Sequence, residues 1–142
     1  DWCLYSEFLA SASSGGSRPW SIILIDQMGV LMPLYRMAEV AFVGGTLVPR
    51  GGHNPIEPAS LRTPVVAGPH NFNFAQVYSD LNAAGALRQV TTETFGAILL
   101  ELLNDGAKRQ QMGASGDAVV QANKGAMQRG VDLITPILDT VR

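Results

Sequence analysis

Cysteine, charge and long apolar runs are all scarce in this 142-residue sequence, and each scarcity removes a class of function. Cys3 is the single cysteine, which excludes an internal disulfide and a cysteine-built metal centre. Charged residues make up only 15%, and 10 Lys and Arg against 12 Asp and Glu leave a net charge of −2. No basic field is available to neutralise phosphates along a strand, so no nucleic-acid partner is expected. No apolar run approaches the ~20 residues that a membrane-spanning helix needs, and the N-terminus lacks a signal pattern. The chain is therefore expected to be soluble by itself. What is present is apolar: 46% hydrophobic residues in a length that suits one domain describe a buried globule.

From Ser21 onward, short apolar runs alternate with helix-length segments. Ser21–Ile25 reads as a buried strand, and Leu31–Ala38 carries Leu31, Leu34, Tyr35 and Ala38 at the spacing of one helix face. Val40–Val43 is the next strand. Pro55–Leu61 reads as a short helix with Asn54 as its N-cap and Pro55 at its first position. Pro64–Ala67 is another strand, followed by a helix over Phe74–Ala84 that Gly85 stops. Leu87–Val90 reads as an edge strand and Thr91–Leu103 as a helix broken at Asn104–Gly106. Lys108–Val141 is expected to be helix-rich, with interruptions near Gly113, Gly125 and Pro136. The alternation predicts an α/β fold, a Rossmann-like parallel sheet with helices on both faces. It occupies residues 21–142, after a lead-in over 1–20 whose Ser11–Pro19 stretch reads as a surface loop.

One segment concentrates chemistry. A strand ending at Val43 runs into Gly44, Gly45, Arg50, Gly51, Gly52, His53 and Asn54, and the connection closes on a helix carrying Glu57 in its first turn. Ligands of open α/β sheets bind beyond the C-terminal ends of strands. Glycines allow close backbone approach, and a helix N-terminus favours an anion. Arg50 suits a phosphate or a carboxylate, or is a solvated loop charge. His53 is either a phosphate donor or a loop residue. Glu57 is either a ligand group aimed at the same crevice or a partner for the helix dipole. His70 follows the next strand and is expected on the same side. Two histidines without a carboxylate cluster give no metal site. Phe72 and Phe74 read as core or rim residues.

The run Phe42-Val-Gly-Gly-Thr-Leu-Val-Pro-Arg-Gly-Gly-His-Asn-Pro-Ile-Glu57 resembles the signature of the Kdo transferase family. Pro64-Val65 and Gly68-Pro-His-Asn-Phe-Asn-Phe74 are similar to the elements that follow it there. Asp26-Gln-Met-Gly-Val-Leu31 and Asn123-Lys-Gly-Ala-Met-Gln-Arg129 resemble two further family motifs. The resemblance implies the C-terminal half of a GT-B glycosyltransferase that moves Kdo from CMP-Kdo to a lipid A precursor. By the same resemblance, Glu57 binds the ribose hydroxyls and Gly52, His53 and Asn54 hold the phosphate. Met28 and Gly29 then line the nucleotide pocket. CMP-Kdo is the donor substrate, and no cofactor and no metal are implied.

The resemblance also sets limits on the chain. The family's catalytic base and its acceptor and membrane surfaces lie in an N-terminal domain, so no catalytic residue is expected here. Membrane contact, at the cytoplasmic face of the bacterial inner membrane, is expected only through the full protein. The family's Met-Gly-Glu reads Met28-Gly29-Val30 here. Val30 therefore leaves open a domain that kept the fold without donor binding, and a UDP-sugar enzyme of the same architecture is the other alternative.

Overall fold

The computed structural model describes residues 1–13, 20–124 and 134–136. The chain divides into two compact units, Asp1–Pro33 and Leu34–Arg142.

In the first unit, β1 (Trp2–Leu4) leads into α1 (Tyr5–Ser13), and β2 (Ile22–Leu24) pairs with β1 in parallel. Asp26 accepts the Ser6 backbone N–H at 3.0 Å and the Ser6 hydroxyl as well, and these bonds hold its carboxyl below the usual range. Cys3 is buried, which pushes its thiol pKa up. The expectation of a buried strand at Ser21–Ile25 is corrected: Ile22 and Leu24 are 64% and 57% exposed. Among the described residues β2 has a single strand neighbour, and α1 contributes no buried residue with which to cover its faces. The lead-in is also more regular than its composition suggests, since it holds both β1 and α1.

α2 (Leu31–Met37) crosses the division between the units. The second unit continues through β3 (Ala41–Val43), α3 (Ile56–Ser60), β4 (Val65–Ala67), a 3-10 turn at Phe72–Phe74, α4 (Ala75–Ala83), β5 (Leu87–Gln89), α5 (Phe95–Asn104) and α6 (Gly106–Asn123). Its sheet has the order β3-β4-β5 with parallel pairing throughout, Ala41 opposite Val65 and Val65 opposite Leu87. β4 is central, and all three of its residues are buried, as the continuous run Val65-Val66-Ala67 requires.

Alternation along the strands supplies two cores. Val43, Val65, Ala67 and Leu87 pack with Ala59, Tyr78 and Leu81, against which Val119 and Val120 lie. Val66 points the other way, packing with Val90, Leu102 and Met112, with Phe95 and Ile98 alongside. Helices thus cover both faces of this sheet. Fully burying a side chain such as Leu81 or Leu102 contributes roughly 1.5–3 kcal/mol, so a few such residues hold the layers together.

Helix ends follow local chemistry. At the end of α4, Ala86 N–H donates to Leu81 O and Gly85 N–H to Asn82 O, with Gly85 at φ +69°. This is the glycine stop expected there. α3 ends in the same arrangement, with Thr63 N–H on Pro58 O and Arg62 N–H on Ala59 O. There the left-handed position is held by Arg62, at φ 63°, whose guanidinium also bridges Asp117 at 2.9 Å. Asp105 caps α6 by accepting the Lys108 N–H at 2.9 Å, which accounts for the break at Asn104–Gly106.

The interruption expected near Gly113 is absent, and α6 runs through it without a break. A Cβ on Gly113 would lie 2.1 Å from the Arg62 carbonyl oxygen, so this glycine serves a close helix-to-turn contact. The expected interruption near Gly125 and most of the Asn123–Arg129 motif lie outside the described residues, though α6 ends at Asn123; Pro136 is the last residue of a described helical stretch over 134–136. α5 starts at Phe95 rather than Thr91, because the Thr91 and Thr94 hydroxyls close a turn ahead of it.

Candidate functional site

The connection from β3 to α3 is fixed by one buried threonine. Thr46 is 0% exposed; its hydroxyl donates to Val43 O at 2.6 Å and accepts from Gly68 N–H at 2.8 Å. Its carbonyl accepts the His70 N–H at 2.9 Å. The loop after β3 is thereby tied to the loop after β4, with the buried polar atoms satisfied.

The returning strand of the loop is held just as firmly. Gly52 N–H donates to Gly45 O at 3.1 Å and His53 N–H to Gly44 O at 3.3 Å. Tyr78 reaches up from α4 and donates its hydroxyl to His53 O at 2.9 Å. Burial, and then the neighbouring Tyr35, push the Tyr78 hydroxyl up to about 12, so this donor stays protonated. Asn73, in the turn before α4, donates its side-chain amide to Arg50 O at 3.2 Å and Gly52 O at 3.3 Å. Its backbone N–H donates to Gly51 O at 3.0 Å.

Gly51 and Gly52 sit at φ +89° and +74°, and a Cβ on Gly52 would lie 2.7 Å from the Thr46 methyl. Glycine is thus demanded here by backbone conformation and by space together. The result is a cleft of about 420 Å³ lined by Gly45, Arg50, Gly52, His53 and Asn73.

Four of the residues named from the sequence meet on this wall: Gly45, Arg50, Gly52 and His53. The His53 imidazole lies over Gly44 and Gly45, where a Cβ would come within 3.9 and 3.6 Å of the ring. Gly51 is part of the same loop, held from behind by Asn73. The N-cap of α3 is Pro55 rather than Asn54, without a side-chain cap bond; Asn54 instead accepts the Ile56 N–H on its side-chain oxygen at 3.0 Å, closing a turn just ahead of the helix.

Other expected residues are placed elsewhere. Glu57 is half-buried on α3 and is not on the cleft wall. Burial, and then the charge of Glu57, raise the Tyr35 hydroxyl pKa. His70 is half-buried and contributes its backbone to the Thr46 junction. Met28 and Gly29 belong to the first unit, where Met28 is 98% exposed and Gly29 has φ +81°. Phe72 is exposed, and Phe74 packs against the core cluster that includes Tyr78.

The polar character of the cleft comes from side chains. The N–H groups of Gly52 and His53 are spent inside the loop, and that of Ile56 on Asn54. Among the described residues no carboxylate pairs with Arg50, which is exposed. A planar guanidinium and an imidazole on one cleft wall, with glycines between them, can bind an anionic group such as a phosphate. Asn73, Thr46 and Tyr78 were not singled out as site residues from the sequence. Each works through a bond to a residue at least 21 positions away, which periodicity does not report.

No family model matches the chain. It is 40% identical over 120 residues to the 3-deoxy-D-manno-octulosonic acid transferase of Haemophilus influenzae, covering 83% of this chain and 28% of that protein. It is also 40% identical over 126 residues to the same-named transferase of Bordetella pertussis, covering 87% of this chain and 29% of that protein. Among solved structures, the C-terminal CMP-Kdo binding domain of WaaA from Acinetobacter baumannii is similar at a TM-score of 0.71 and 31% identity. That match covers 84% of this chain and 61% of that one. The chain spans less than a third of the length of the two transferases.

Proposed function

We propose that this chain, which is similar to the C-terminal domain of the Kdo transferases, holds the nucleotide-sugar donor CMP-Kdo. The enzyme it serves is then a GT-B glycosyltransferase that moves Kdo to a lipid A precursor. An acceptor oxygen attacks the anomeric carbon of Kdo, and CMP departs with the bond's electron pair on its phosphate. The work of this domain is to orient the donor and to stabilise the charge gathering on that phosphate. Arg50 and His53 are the groups on the cleft wall suited to it, with Gly45 and Gly52 giving close backbone approach. Glu57, on α3 beyond the cleft wall, takes the ribose hydroxyls of a nucleotide that extends past the cleft, since the two oxygens of a carboxylate match a vicinal diol. The base and the lipid-binding surface belong to a partner domain at the cytoplasmic face of the inner membrane.

The observation that carries this reading is the Arg50 guanidinium, without an ion pair among the described residues, on a loop pinned from three sides, in a chain similar to a CMP-Kdo binding domain. A calorimetric titration with CMP, CMP-Kdo and a UDP-sugar tests it. The expected result is binding of both cytidine ligands, with the UDP-sugar weaker by at least about ten-fold, or 1.4 kcal/mol. Equal or tighter binding of the UDP-sugar overturns the assignment of the donor.

A further inference from the structure

We propose that Asn73 is the positioning residue of the cleft, clamping the Arg50–Gly52 segment so that the Arg50 guanidinium faces the donor's anionic group. This deepens the donor-binding reading above and rests on it for the ligand alone. Three bonds converge from one residue on three consecutive loop carbonyls: the side-chain amide on Arg50 O and Gly52 O, and the backbone N–H on Gly51 O.

The orientation of the amide is fixed by its surroundings. Both neighbours are carbonyl oxygens, so only the NH2 end can face them. Gly51 completes the fit, because a Cβ there would fall 2.5 Å from the Asn73 amide. Asn73 also lines the cleft itself, directly beside Arg50 and His53. Arg50 has no ion pair of its own among the described residues to hold it. Its backbone is held by a tight Arg50 N–H to Val48 O contact at 2.7 Å and by Asn73. The next anchors along the chain are the bonds from Gly52 and His53 N–H to Gly45 and Gly44. Without the amide, the stretch around Arg50 and Gly51 loses two of its ties to the rest of the fold.

Two measurements on the 142-residue chain test the proposal. The first needs no ligand: backbone 15N relaxation of Arg50 and Gly51 in the parent and in Asn73→Ala. The expected result is that order parameters near ~0.85 in the parent fall below about 0.6 in the variant, while α4 and β4 are unchanged. Unchanged order in this loop overturns the clamp whether or not CMP binds. The second is a double-mutant cycle on CMP affinity with Arg50→Ala. Asn73→Ala is expected to weaken CMP about ten-fold in the parent background, the scale of two ordinary hydrogen bonds. In the Arg50→Ala background it is expected to cost less than about two-fold. An equal loss in both backgrounds overturns action through Arg50. A parent chain that binds no CMP, with the clamp intact by relaxation, removes the donor assignment and leaves the clamp standing.

Discussion

Replacing Gly52 by alanine separates backbone strain from crowding, because Gly85 provides the matched control. Both glycines are left-handed, at φ +74° and +69°. A Cβ on Gly85 meets nothing within 4 Å, whereas on Gly52 it lies 2.7 Å from the Thr46 methyl and 3.2 Å from the Tyr78 hydroxyl. A left-handed non-glycine residue costs about 1–2 kcal/mol, and this is the whole expectation for Gly85→Ala. Gly52→Ala adds the displacement of Thr46, for which overpacking costs of about 1–3 kcal/mol apply. Thr46 is the hydroxyl that ties Val43 O to Gly68 N–H, so its movement loosens both loops of the site. The sum is roughly 2–5 kcal/mol, a large share of the ~5–15 kcal/mol that stabilises a domain. Urea unfolding followed by circular dichroism measures both variants against the parent. With a slope of about 1–3 kcal/mol per molar, the excess of about 1–3 kcal/mol makes the Gly52 variant lose on the order of 1 M more in midpoint than the Gly85 variant. Equal losses would refute the reasoning, since they would leave the Thr46 contact without consequence.

Glu57→Ala should weaken CMP by about one to two orders of magnitude, from charge-assisted bonds of roughly 1.5–3 kcal/mol, with little change in unfolding; titration and melting read the two separately. Tyr78 has a folded hydroxyl pKa raised from 10.0 to about 12, so the unfolded chain ionises first and stability falls as pH rises through that window. Tyr78→Phe should flatten this alkaline loss, measured by unfolding at stepped pH, while lowering stability near neutrality because His53 O loses its donor. Asp105→Ala removes the cap on Lys108 N–H and should cost about 1 kcal/mol in urea unfolding with CMP affinity unchanged.

Legibility in the sequence tracked the range of the interaction. β3 and β4 show as short apolar runs because both faces of the sheet are covered, and Gly85 and Asp105 mark helix ends through bonds to residues a few positions away. Gly113 reads as a helix breaker until the Arg62 carbonyl is seen against it, across a separation that no local pattern carries. Trp2–Leu4 is three residues long and too short to show a period, so β1 could be assigned only through its pairing with β2. Within the site, the crowding of Gly45, Arg50, Gly52 and His53 was legible because one connection carries them all. The groups that hold them still, Thr46, Asn73 and Tyr78, come partly from other elements and read in the sequence as ordinary polar residues.

The central claim is that the loop between β3 and α3 holds the nucleotide of the donor. Amide chemical shifts of the 15N-labelled chain during a CMP titration address it residue by residue. The account predicts saturable shifts at Gly45, at Arg50–Glu57 apart from the proline, and at Asn73, with the α5–α6 face silent. Saturable binding whose shifts centre on α5 and α6, with Arg50, Gly52 and His53 unmoved, would contradict it.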